Sequence, residues 1–94
     1  MLSVDYMDLS DPRPLRDQVV AVIEERIRSG EYAVGSKIPT MPELARELDV
    51  GSRTVAEAVR ILRERGILRG LGGRGTFVLA VPEEPENDGT PAQP

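Results

Sequence analysis

TMPELARELDVGSRTVAEAVRILRERG, residues 40 to 66, is the stretch that decides the fold of this chain. Thr40 opens it and Glu43 stands three residues later, the spacing of a capping box, with Pro42 tolerated in the first turn. A short helix is predicted over 41–48, with Leu44, Ala45 and Leu48 turned inward. Asp49-Val50-Gly51 then makes a three-residue turn. A second helix is predicted over 52–65, with Val55, Ala58, Val59 and Leu62 inward and Gly66 as its stop. Two helices joined this way form a helix-turn-helix pattern. Packing between Leu44, Ala45, Val50, Val55 and Leu62 would set their angle and push the start of the second helix outward. The exposed residues there are Ser52, Arg53, Ala56 and Glu57. Arginine can pair bidentately with guanine, and serine or threonine can bond bases or phosphates. The free N–H groups of a helix start also suit a phosphate. A plain helical hairpin in a small bundle fits the same two helices, so the next segment matters.

That segment is two short apolar runs, Gly66-Ile67-Leu68-Arg69 and Thr76-Phe77-Val78-Leu79, around a glycine-rich tip, Gly72-Gly73-Arg74-Gly75. It reads as a β-hairpin whose glycines supply the positive φ of a tight turn, with Arg74 at its end. A three-helix core ending in such a wing is a recurrent DNA-binding build, which weighs against the bare bundle. Gly70 to Gly75 also satisfies G-x-G-x-x-G. A dinucleotide site requires a strand before that motif and a helix after it. Here the motif runs into a β-branched and aromatic stretch, so the nucleotide reading fails.

Upstream, Leu15, Val19, Val22, Ile23 and Ile27 recur at helical spacing and predict a first helix over 15–29, stopped by Gly30. A connector, 31–39, leaves room for a short strand near Lys37-Ile38. The expected fold is mainly α with a small β-hairpin, in the order helix, short strand, helix, helix, strand, strand. Residues 12–81 are expected to form this domain. Residues 1–11 are read as a flexible N-terminal arm. Residues 82–94, proline-rich and acidic without hydrophobic periodicity, are read as a disordered tail.

Composition narrows the chemistry. The 94 residues suffice for one small domain, and they include no cysteine and no histidine. Disulfides, thiolate or imidazole metal sites and histidine general bases are therefore excluded. The serines have no histidine to activate them. Glu24-Glu25 and Glu83-Glu84 are read as solvated charge, not as acid/base pairs. No enzyme activity, cofactor or metal is expected. No run approaches the ~20 apolar residues of a membrane span, so no membrane partner and a cytoplasmic location are expected. The net charge is −4, but it is unevenly spread. All 12 basic residues lie in 12–80. Segment 50–80 alone carries Arg53, Arg60, Arg63, Arg65, Arg69 and Arg74 against Glu57 and Glu64. A basic middle between acidic ends suits nucleic acid, and the acidic tail is expected to compete with it.

Pro14-Leu15, Ile27-x-Ser29-Gly30-Glu31-Tyr32, Gly35-x-Lys37-Ile38-Pro39-Thr40, Glu43-Leu44-Ala45, Leu48, Val50, Thr54-Val55, Glu57-Ala58, Leu62, Gly66 and Gly73-Arg74-Gly75-Thr76-Phe77-Val78 together resemble the DNA-binding domain of GntR-type bacterial transcription regulators, a winged helix-turn-helix. The resemblance spans Pro14 to Val78. It implies a sequence-specific regulator, a repressor in the simplest case, binding double-stranded operator DNA as a homodimer. The third helix would enter the major groove and the wing the minor groove. Carried over by position, the contacts fall on Gly51, Ser52, Arg53, Thr54 and Ala56, and on Gly73, Arg74 and Gly75. Lys37, Arg46 and Arg60 are candidate phosphate contacts.

Departures from the family are visible. Where it usually reads Ser-Arg-Thr-Thr-Val-Arg, this chain reads Gly51-Ser52-Arg53-Thr54-Val55-Ala56, so one arginine is displaced and another is missing. Pro42 also stands where the family often has arginine. A different operator or weaker binding is expected. The alternative is a winged-helix protein-interaction module with weakened or lost DNA binding. Family members usually carry a further C-terminal ligand-binding or dimerisation domain. This chain is expected to be a stand-alone module, with no small-molecule effector site.

Overall fold

The computed structural model describes residues 12–83. The expected N-terminal arm and residues 84–94 of the expected tail lie outside them. Three helices come first, α1 (Leu15–Arg28), α2 (Met41–Leu48) and α3 (Ser52–Glu64). Two strands complete the order, β1 (Leu68–Gly70) and β2 (Thr76–Val78), paired antiparallel with Leu68 opposite Val78 and Gly70 opposite Thr76. The expected strand near Lys37 is reduced to a single bridge from Lys37 to Phe77. It still docks through its backbone: Gly35 and Ile38 N–H groups donate to the carbonyls of Val78 and Thr76, and Val78 N–H donates to Ser36. Pro39 and the cap of α2 come next and leave no room for a longer strand.

α2 starts as its capping box dictates. Glu43 N–H donates to Thr40 Oγ1 (3.2 Å), and Thr40 N–H donates to Glu43 Oε1 (2.8 Å). The bond from the Thr40 backbone N–H, and after it the Thr40 hydroxyl, hold the Glu43 carboxyl below the usual carboxylate range. The carboxylate half of the box is therefore fully formed above that range and is lost as pH falls through the lowered value. The Thr40 amide resonance should titrate with a midpoint below ordinary glutamate in an NMR pH series. In Glu43→Gln it should not titrate there at all.

α2 ends on Asp49 in the left-handed conformation (φ 59°). α3 ends in a Schellman motif. Gly66 (φ 79°) donates to Arg63 and Ile67 donates to Leu62 (2.9 Å), which turns the chain directly into β1.

The core is built where the helical and strand patterns converge. Val19 and Ile23 of α1, Leu44 and Leu48 of α2, Val55, Val59 and Leu62 of α3, and Leu68 and Val78 of the hairpin are all buried. α1 packs chiefly on α3, and α2 and β1 also pack on α3. Leu15, expected in the stripe of α1, is 37% exposed, and Val20 is buried instead.

Two ion-pair arrangements were not visible in the sequence. Glu24, read as solvated, has a side chain only 14% exposed and pairs with Arg28 (3.4 Å) and with Arg65 (3.0 Å) at the end of α3. It draws the ends of α1 and α3 together. Arg26 is buried. It donates to the Tyr32 hydroxyl and pairs with Glu47 of α2, both at 2.8 Å. Burial disfavours its charge, but the Glu47 and Tyr32 bonds outweigh burial and raise its pKa above the ordinary arginine value. Burial in turn pushes the Tyr32 hydroxyl up, against the pull of Arg26. Glu47 is partly exposed, so its removal falls between the surface and buried limits for an ion pair. Glu47→Ala should cost about 1–3 kcal/mol in urea unfolding, and Glu47→Gln less.

Candidate nucleic-acid interface

The start of α3 differs from the start of α2 in one decisive respect. Its N-cap is Gly51, which has no side-chain acceptor, and its first turn holds no acidic residue. Val55 N–H closes the first turn on the Gly51 carbonyl (3.2 Å). Among the described residues, no protein acceptor meets the N–H groups of Ser52, Arg53 and Thr54. Such a turn carries partial positive charge toward solvent. Ser52 and Arg53 are exposed on it, while Thr54 and Ala56 are half-buried. Arg53 therefore projects from an electropositive helix end, and Thr54 stands at its flank.

The second part of the surface is the hairpin tip. Gly72, Gly73 and Gly75 all take positive φ (37°, 38° and 112°), which explains why three glycines cluster there. Leu71 N–H donates to Gly75 (2.9 Å) and Arg74 N–H donates to Leu71 (3.1 Å), closing the turn around an exposed Arg74. Lys37 belongs with this tip. A β-carbon at Gly75 would lie 3.1 Å from Lys37 Cδ and Cε, so the aliphatic stem of Lys37 runs along the wing.

The remaining candidates are dispersed. Arg46 is exposed on α2. Arg60 lies two turns along α3 from Arg53 and is held by Glu64 at 3.0 Å, which offsets its charge. Among the described residues, Arg53, Arg74, Lys37 and Arg46 have no carboxylate within 4.0 Å. The structure thus joins Lys37 to the wing, presents Ser52 and Arg53 on one turn and leaves Arg46 apart. It also shows Arg63 and Arg69, counted in the sequence only as charge, beside the hairpin. The i, i+3 spacing of Arg60 and Arg63 was the available signal for Arg63.

Among the described residues, no group of three or more carboxylates could hold a metal ion, and no helix is long and apolar enough to cross a membrane.

Comparison with known proteins agrees with this architecture. The family model described as bacterial regulatory proteins, gntR family, matches residues 15–78. The uncharacterized HTH-type transcriptional regulator YdfD of Bacillus subtilis is 39% identical over 66 residues, 70% of this chain and 14% of its own length. The chain thus spans about a seventh of that relative. The structure of YtrA from Sulfolobus acidocaldarius, a GntR-family transcription factor, superimposes with a TM-score of 0.74 at 32% identity, covering 83% of this chain and 82% of that one. The DNA-binding domain of AraR, solved with operator ORX1, gives 0.69 at 32% identity, over 77% and 86% of the two chains. With three helices, a hairpin wing and a family match over most of the described residues, the chain belongs to the gntR family of bacterial regulatory proteins.

Proposed function

We propose that this chain is a cytoplasmic, sequence-specific regulator that binds double-stranded operator DNA as a homodimer and represses by occupying a promoter. α3 enters the major groove and the wing tip enters the adjacent minor groove. The observation that carries this reading is the uncapped, acid-free start of α3 with Ser52 and Arg53 exposed on it. Arg53 reads base edges, and Ser52 and Thr54 bond bases or phosphates at the same turn. Arg74, with Gly73 and Gly75 allowing close approach, takes the narrow, negative minor groove. Lys37, Arg46 and Arg60 take phosphates. The AraR domain solved on an operator supports the reading through its similar fold.

Selection of bound sequences from a random duplex pool tests it, combined with a salt titration of the selected duplex. One enriched motif is expected, repeated in two half-sites whose spacing reports the dimer. Affinity should fall steeply with salt, with a slope of about −0.9 per phosphate contacted.

A second reading, a protein-interaction module with weakened or lost DNA binding, draws on the displaced and missing arginines across Gly51 to Ala56 and the net charge of −4. Absence of any retention on DNA at low salt would favour it. On the DNA-binding reading, the acidic segment 82–94 competes for the basic surface. A chain ending at Val81 should therefore bind the selected duplex more tightly at low salt, with the difference fading as salt rises.

A further inference from the structure

The surface between α3 and the hairpin holds an open cleft of about 520 Å³. α3 lines it with Arg60, Arg63 and Glu64, β1 lines it with Arg69 and Gly70, and Leu79 borders it beyond β2. A β-carbon built at Gly70 would be in ordinary van der Waals contact with the guanidinium of Arg63, 3.8 Å from its carbon. The exposed Arg63 head group therefore lies beside the strand. Glu64 is engaged by Arg60 at 3.0 Å. Among the described residues, neither Arg63 nor Arg69 has a carboxylate within 4.0 Å. Two arginines without an ion pair among the described residues, one from the helix and one from the wing, thus line one open cleft.

Their position has a consequence for docking. In duplex DNA, one phosphate strand separates a major groove from the neighbouring minor groove. If α3 occupies the first and the wing the second, that strand crosses the surface between them, where the cleft lies. We propose that Arg63 and Arg69 form a phosphate clamp that grips one phosphodiester of this dividing strand. The clamp sets position and affinity and reads no sequence. It rests on the groove assignment above. It adds a contact at the base of the wing, away from the tip and from the start of α3.

The test uses the full chain, the duplex obtained by selection, and Arg63→Gln, Arg69→Gln and the double substitution. Both side chains are exposed, so unchanged thermal unfolding is expected. Each substitution should flatten the salt slope by about 0.9, which removes about 3.5-fold of the affinity change between 50 and 200 mM salt. The ranking of operator variants should stay the same. A second arm places single neutral methylphosphonates along the strand dividing the two grooves. At one position the neutral linkage should weaken the unmodified chain and leave the double variant unaffected. Salt slopes unchanged in the double variant, or methylphosphonate losses equal in both proteins at every position, would overturn the clamp while leaving DNA binding intact. If the unmodified chain binds no duplex in a salt-dependent way, the DNA-binding reading fails and the clamp with it.

Discussion

Leu62→Ala should lower the stability of the domain by about 3–5 kcal/mol, enough to leave much of it unfolded near physiological temperature. Leu62 is fully buried on α3, the helix against which α1, α2 and β1 all pack. Its carbonyl also receives the Ile67 N–H that turns the chain into the wing. Leucine-to-alanine changes at such sites remove transfer energy and leave a cavity, together worth about 2–5 kcal/mol. Small domains have only about 5–15 kcal/mol in total, and each kcal/mol lowers Tm by roughly 4–8 °C at this size. Urea unfolding monitored by far-UV circular dichroism measures the change. Leu62→Met, which keeps volume, should cost less than about 1.5 kcal/mol. Leu79→Ala, at a position 46% exposed, should stay within about 0.5 kcal/mol. A loss at Leu79 equal to that at Leu62 would show that the core lies elsewhere.

Arg53→Ala and Arg74→Ala should both weaken operator binding, in different ways. On the proposed docking, Arg53, on the uncapped turn of α3, pairs bidentately with a guanine. Its removal should cost about 1–3 kcal/mol and relax the preference at one base pair. On the same docking, Arg74, in its glycine turn, meets the minor groove, whose readout is largely A·T against G·C. Its removal should weaken all sequences alike and reduce the salt slope by about one contact. Gel-shift titrations over a panel of single-base operator variants separate the two patterns. A uniform loss for Arg53→Ala would remove its role as a reader and leave it a phosphate contact. Neither substitution should move Tm, because both side chains are exposed.

Much of this fold is legible without coordinates. The helix boundaries agree with the sequence reading to within one residue, because each is written in local chemistry: Thr40 and Glu43 at one end, Gly30 and Gly66 at others. The hairpin is legible for the same reason, since only glycine adopts the angles its tip needs without strain. The G-x-G-x-x-G match fails as a nucleotide site because a strand, Thr76–Val78, stands where a helix is required. The charge and contact misreadings concern residues whose partners are remote in sequence. Glu24 looks like surface charge in the sequence because Arg65 lies 41 residues away. Lys37 and Gly75 are far apart in the chain, and their contact depends on the bridge to Phe77.

The sequence by itself therefore determined the three helices and the wing strands in order, the inward faces of α2 and α3 and the glycine turn of the wing. Capping, helical periodicity and positive φ are properties of a few neighbouring residues. Only the tertiary structure decided which arginines are free and which are spent. Arg26 is buried against Glu47 and Tyr32, Arg28 and Arg65 answer Glu24, and Arg60 answers Glu64. Arg53 and Arg74 remain exposed without an ion pair among the described residues, and Arg63 and Arg69 share a cleft. In sequence these are equivalent positive charges. Packing separates them, because a charge is neutralised by whatever carboxylate the fold brings within a few ångströms.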